Sequence, residues 1–270
     1  LPARLGGLAA LNDRIGGDAP AWSVREVGDG NLNLVFIVQG SKGAAVVKQA
    51  LPYVRLVGES WALPLKRSFF EYHALSRQSQ RDPGMTPAIF HFDPGQAMIV
   101  MEFLSPHIIL RRALIEGQEL PKIAKDLGLF LARTLFRGSD LCLDTKLRKA
   151  DLALFADNVA LCDITESLVF SDPYFDAKLN RHTSPQLDGI VAQLRADRDL
   201  KVAAQRLKHI FAATPETLLH GDFHTGSVMV TPGQTRVIDP EFAFYGPMAF
   251  DVGMLLANFW MSYFSQSGHE

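Results

Sequence analysis

The chain has 270 residues, 47% of them hydrophobic and 21% charged, which is enough apolar material for one large core or two smaller ones and excludes a disordered chain. A formal net charge of −2 gives no electrostatic case for a nucleic-acid or membrane-surface partner, and no apolar run approaches the roughly 20 residues of a bilayer span. Cys142 and Cys162 have neither metal-site spacing nor the density of a disulfide scaffold, so reduced thiols in a cytoplasmic protein are expected. The composition points to a small-molecule site.

Three strands are expected first: "WSVREV" (22–27), "LVFIVQ" (34–39) and "AAVVKQA" (44–50), rich in β-branched and aromatic residues and separated by glycine-containing turns, as an antiparallel meander. A helix follows over "LPLKRSFFEYHALSRQ" (63–78), where Leu65, Phe69, Tyr72 and Leu75 recur at helical spacing. A second strand pair is expected in "TPAIFHFD" (86–93) and "AMIVMEFL" (97–104). From about Ser105 the texture turns helical, with helices over 120–138 and 184–213. Short strands return in "TLLHGD", "SVMV" and "TRVIDP", and "MAFDVGMLLANFWMSYF" closes the pattern as an apolar helix. The order implies an α+β fold of two lobes, a small β-rich one over 1–104 and a larger, mostly helical one over 105–270. The crevice between them is the expected ligand site.

Several residues carry chemistry in this pattern. "GDGNLNLVF" (28–36) reads either as a plain hairpin turn or as a glycine turn whose bare N–H groups approach a phosphate, with Asn31 and Asn33 as the unusual pair. Lys48 sits inside an otherwise apolar strand, which is costly unless its ammonium reaches water, a carboxylate or an anion. Glu71 on the following helix is the candidate partner, and a lysine snorkelling from an edge strand is the alternative. Asp222, Asp239 and Glu241 stand at strand ends, an arrangement suited to a magnesium site plus a base. His220 reads as a brace for its loop. Asp222-Phe223-His224 also spells the D-x-H of dinuclear metallophosphoesterases, with "GHE" at 268–270 as a second fragment. The first 200 residues supply no matching ligand set.

The segments "VGDGNLNLVFIV", "VVKQALPYVRLVGESWALPL", "HGDFHTGSVMV" and "VIDPEFAFYGPMAFDVGMLLANF" resemble the protein-kinase-like small-molecule kinases, the group that includes aminoglycoside phosphotransferases and choline kinases. Within it they resemble the methylthioribose kinases. The resemblance implies a two-lobed kinase fold and transfer of the ATP γ-phosphoryl group to the anomeric hydroxyl of 5-methylthioribose, giving 5-methylthioribose 1-phosphate in methionine salvage. It also implies Mg²⁺ and a homodimer. Carried over residue by residue, Asn31 and its turn would cover the nucleotide, and Lys48, paired with Glu71, would hold the phosphates. Glu102, Phe103 and Leu104 would form the hinge at the adenine. Asp222 would contact the sugar and act as base, while Asp239 and Glu241, flanking Pro240 in "DPE", would bind the metal at the nucleotide site.

There are departures from the group. Its members usually begin earlier and continue past the "LLANF" helix, where arginines help to hold the sugar, so the second lobe is expected to be truncated here. Phe223 stands where leucine is frequent. Ser227 replaces the asparagine that related kinases use as a magnesium ligand, and Glu241 with water is expected to take over that coordination. Another alcohol kinase of the same fold and a non-catalytic nucleotide binder remain as alternatives.

Overall fold

Two short helices, α1 (Pro2–Leu5) and α2 (Ala9–Ile15), lead into three strands, β1 (Ser23–Val27), β2 (Asn33–Gln39) and β3 (Ala44–Ala50). The computed structural model describes residues 2–28, 32–54 and 58–266. A small hairpin of β4 (Tyr53–Val54) and β5 (Gly58–Ala62) precedes α3 (Arg67–Arg81), and β6 (Ile89–Asp93) and β7 (Met98–Glu102) complete the first lobe. The strands join in one antiparallel sheet of order β1-β2-β3-β7-β6. The two strand groups expected from the sequence are therefore a single sheet, closed by the pairing of β3 with β7.

That pairing places β3 at the centre, covered on both faces. On one face Ala45 and Val47 join Leu5, Leu11, Ile15 and Trp22 in a core under α1 and α2. On the other, Val46 packs with Leu75, Ile99 and Met101 under α3. Alternation along the strand puts Lys48 on the same side as Val46, facing α3. The helix expected from Leu63 starts at Arg67, because a residue before proline is steered away from helical backbone; Leu63 instead donates its N–H to the Pro52 carbonyl at 3.0 Å.

The second lobe opens with β8 (Ile108–Ile109), α4 (Leu110–Ile115), α5 (Ile123–Gly138), α6 (Thr145–Phe155) and α7 (Val159–Phe170). The long helix expected over 184–213 is two, α8 (Asp188–Ala196) and α9 (Arg198–Ala213). Asp197 separates them: its backbone is extended and its carboxylate accepts the Leu200 N–H at 2.9 Å, an N-cap that restarts the helix. Then come β9 (Thr217–Leu218), β10 (Val228–Val230), β11 (Thr235–Val237), β12 (Tyr245–Gly246) and α10 (Ala249–Ser265). Strand β10 pairs with β11 and β8, and β12 with β9. Phe130, Phe211, Leu219, Phe223 and Val228 share the main core of this lobe. No helix among the described residues is long and apolar enough to cross a membrane.

Candidate active site

Lys48 reaches from the central strand to α3, where its Nζ lies 2.8 Å from Oε2 of Glu71. The same ammonium contacts Oδ1 of Asp239, which is carried by the second lobe just beyond β11. Burial alone would lower the lysine pKa, but the charges of Asp239, Glu71 and Glu241 outweigh it and raise the value. Burial likewise resists ionisation of Asp239, yet the lysine holds its carboxyl below the ordinary range. Asp239 has a positive φ of 67°, an uncommon conformation for a residue with a side chain.

A second ion pair lies behind the first. Arg67 stands four residues before Glu71, on the same face of α3, and its Nε is 3.2 Å from Oε2 of Glu241. Its other nitrogens donate to the carbonyls of Leu51 at 2.6 Å and Pro64 at 3.1 Å, to the carbonyl of Leu32, and to Oδ1 of Asn33 at 3.2 Å. Asn33 in turn donates to both Glu241 oxygens, at 3.3 and 3.2 Å. Asn158 at the start of α7 fixes the backbone there by donating to the carbonyls of Glu241 and Ala243 at 2.9 and 3.0 Å. Asn31 lies outside the described residues, whereas Asn33, the other member of that pair, is part of the site.

The loop between β9 and β10 carries Asp222. Gly221 has φ 85°, and a Cβ there would stand 2.1 Å from the Phe242 carbonyl oxygen, so only glycine lets the loop lie against the 239–244 segment. Asp251, in the first turn of α10, accepts the N–H groups of His220 at 2.7 Å and Gly221 at 3.1 Å. Seven residues later on the same helix face, Oδ1 of Asn258 accepts the Thr225 hydroxyl at 3.1 Å. Phe223 sits in the core with its ring 5.6 Å from that of Phe130. His220 is fully packed: its Nε2 meets the Ile238 carbonyl at 2.9 Å while Nδ1 accepts the Asp222 N–H at 3.3 Å. Burial pushes its pKa down to about 4, so the ring is a neutral brace, as its place in the sequence suggested.

Asp251 combines two backbone donors with complete burial, and burial pushes its pKa up to about 7. Asp251→Asn replaces one accepting oxygen by an amide that faces an N–H, so a loss of about 1–3 kcal/mol in a urea titration is expected. The acid binds its proton more tightly folded than unfolded, so wild-type stability from this group falls as pH rises from about 4 towards 7. The stability gap between wild type and Asp251→Asn should therefore narrow over that window.

The carboxylates differ in access. The side chains of Asp222 and Asp239 are 36% and 44% exposed, whereas those of Glu71 and Glu241 are 3% and 4% exposed. Oxygens of Glu71, Asp239 and Glu241 lie within 4.8 Å of one another, the one cluster among the described residues able to hold a metal ion. Its donors are hard oxygens, and with Lys48 and Arg67 against three carboxylates one negative charge is in excess, so the set fits a divalent cation such as Mg²⁺. It contains no histidine, unlike the dinuclear site that D-x-H would announce. The Ser227 hydroxyl donates to the Asp222 carbonyl at 2.9 Å, closing the loop. Of the residues expected to form the hinge, Glu102 and Phe103 are half-buried and Leu104 is buried. The Glu102 carboxylate accepts the Ala88 N–H at 3.0 Å, turned towards β6. Pro240 is buried between the two DPE acids.

The model of the phosphotransferase enzyme family matches residues 23–267. The chain belongs to this family. It is 49% identical over 261 residues to methylthioribose kinase 1 of Oryza sativa subsp. japonica, covering 96% of this chain and 61% of that one. To the methylthioribose kinase of Escherichia coli it is 46% identical over 271 residues, covering 100% and 65%. The chain thus spans about three fifths of the length of these curated relatives. In shape the chain is similar to a choline/ethanolamine kinase family protein from Mesorhizobium loti, with a TM-score of 0.50 at 15% identity, covering 99% of this chain and 71% of that one. The fold is accordingly the two-lobed, protein-kinase-like α+β fold. Arg67, Asn158, His224 and Asp251 belong to the site although the sequence reading gave them no part in it.

Proposed function

We propose that this phosphotransferase transfers the γ-phosphoryl group of ATP to the anomeric hydroxyl of 5-methylthioribose, the methionine-salvage step that yields 5-methylthioribose 1-phosphate. The observation that carries the reading is the contact of Lys48 with both Glu71 and Asp239, which joins the sheet, α3 and the second lobe at one charged point. The relatives named methylthioribose kinase supply the substrate. Residues 1–104 hold the nucleotide and 105–270 bring the sugar, and a cytoplasmic homodimer belongs to the same reading.

Lys48, kept charged and oriented by Glu71, neutralises the ATP phosphates. The backbone of Glu102, Phe103 and Leu104 would meet the adenine, and Asn31 with its turn would cover the nucleotide. Asp239 and Glu241, on either side of Pro240, would hold Mg²⁺, which when bound offsets charge on the phosphate oxygens. Burial raises the Glu241 pKa, and Lys48, Arg67 and the Asn33 amide oppose that rise. Asp222 is raised in pKa mainly by burial, with Asp239 adding to the rise and His224 and Arg111 opposing it. A raised carboxylate is a better proton acceptor, and an anomeric hydroxyl is more acidic than an ordinary alcohol, so a single base suffices.

The test is ADP release with Mg²⁺-ATP and a panel of methylthioribose, ribose, choline and an aminoglycoside. Turnover with methylthioribose alone is expected. Turnover with choline or the aminoglycoside instead would assign another alcohol, and magnesium-dependent ATP binding without turnover on any of them would make the chain a nucleotide binder. Arg67→Met is expected to raise KM for ATP at least several-fold, because Glu241 loses its counter-charge and the Leu32–Asn33 backbone its anchor; an unchanged KM in a folded variant would remove Arg67 from the nucleotide site.

A further inference from the structure

The geometry points to His224 as a positioning residue that presents the Asp222 carboxylate in one fixed orientation, an inference that rests on Asp222 being the base. The Gly226 N–H donates to Nδ1 of His224 at 2.9 Å. A backbone amide can only donate, so Nδ1 is bare and the proton of the neutral ring is on Nε2. Nε2 lies 3.4 Å from Oδ2 of Asp222. That separation closes to a hydrogen bond with a slight rotation of either side chain, as contacts of this kind tighten when substrate arrives.

The rest of the loop is built to hold the ring there. A Cβ at position 226 would stand 2.7 Å from Cε1 and 3.0 Å from Nδ1 of His224, so glycine makes room for the ring against its own backbone. The His224 N–H donates to the Asp222 carbonyl at 3.1 Å, and the Ser227 N–H to the His224 carbonyl at 2.9 Å. The Ser227 hydroxyl donates to that same Asp222 carbonyl and lies 3.2 Å from Nδ1. The short serine thus closes the turn beneath the ring.

With Oδ2 turned to His224, Oδ1 of Asp222 is left for the sugar hydroxyl. That hydroxyl gives its proton to Oδ1 while its oxygen forms the bond to the γ-phosphorus. The bond from that phosphorus to the β–γ bridging oxygen breaks, and its electron pair leaves with ADP. His224 keeps its own proton throughout and is not the proton acceptor.

The experiment compares His224→Leu, which fills the space without a donor, with His224→Gln, whose amide N–H reaches the place of Nε2. In the Leu variant kcat is expected to fall about tenfold to a hundredfold, the scale of a misaligned reacting group, with KM for ATP unchanged. The Gln variant should recover most of the loss. Gly226→Ala should lower kcat in the wild-type background, because its Cβ displaces the ring. A Leu variant with wild-type kcat, or a Gln variant as poor as the Leu variant, overturns the inference. Imidazole nitrogen NMR of the wild-type enzyme tests it without any variant: the proton is expected on Nε2, and a proton on Nδ1 overturns it. Asp222→Asn separates the two readings: if that variant is inactive and His224→Leu is normal, only the positioning role fails. If Asp222→Asn turns over normally, the base assignment fails and this inference with it.

Discussion

Asp222→Asn is expected to lose about a hundredfold to ten-thousandfold in kcat, the range set by removing a positioned base, while ATP affinity stays within about twofold. The split follows from where the side chain stands. Its carboxylate is 36% exposed and lies 3.4 Å from His224, whereas the ammonium that would hold the phosphates contacts Glu71 and Asp239. The substitution should also leave the fold as stable as before or slightly more so, since burial and Asp239 both oppose ionisation of this acid, and an active site is where stability is given up for function. The backbone contacts of the loop, from Asp251 and from Ser227, do not involve the carboxylate that is replaced. Isothermal titration with a non-hydrolysable ATP analogue, steady-state kinetics and a thermal melt check the three parts. Near-normal kcat in a folded protein sinks the assignment of the base; a parallel loss of nucleotide binding shows that Asp222 belongs to the phosphate site instead.

Most of this site could be read from the sequence wherever one residue broke the pattern of its element. Lys48 is a charge in an apolar strand, which marks Glu71 on the following helix as a candidate partner while leaving a snorkelling lysine open. Asp251 carries the same kind of signal, an acid within the apolar "MAFDVGMLLANF". Arg67 stands one helical turn before Glu71, which was visible. Besides the nearby Pro64 carbonyl, its partners are the carbonyls of Leu32 and Leu51 and the side chains of Asn33 and Glu241, three distant segments that no periodicity encodes. His224 was drawn towards metal chemistry by the D-x-H pattern, while its contact with Asp222 arises from a turn whose tightness depends on Gly226. The fold shows the same limits. Apolar spacing ran on past Asp197 because period alone does not register a cap, and β3 against β7 is a pairing of distant segments that local pattern leaves open.

Lys48→Met should abolish turnover to about one part in a hundred to a thousand, the cost of removing one preorganised charge from a transferring phosphoryl group, and should also destabilise the protein. The two effects have different origins and can be separated. Without Lys48, Glu71, Asp239 and Glu241 face Arg67 alone, so two negative charges are left in excess in place of one. In the wild type the lysine holds the Asp239 pKa below its unfolded value, so this group contributes stability above about pH 4 that is lost as pH falls through the lowered folded value. In the variant, burial without the lysine raises the carboxylate values, and stability falls as pH increases. The gap between wild type and variant should therefore widen from pH 4 to pH 8. Lys48→Met combined with Glu71→Gln removes one charge of each sign and returns the cluster to a single excess negative charge, as in the wild type. A buried pair replaced as a unit is often close to neutral for stability, so the double variant should melt near the wild-type temperature and still fail to turn over. Recovery of activity along with stability would mean that Lys48 serves only to balance its neighbours. Recovery of stability alone leaves the phosphates of ATP as the partner that the ammonium is placed to meet.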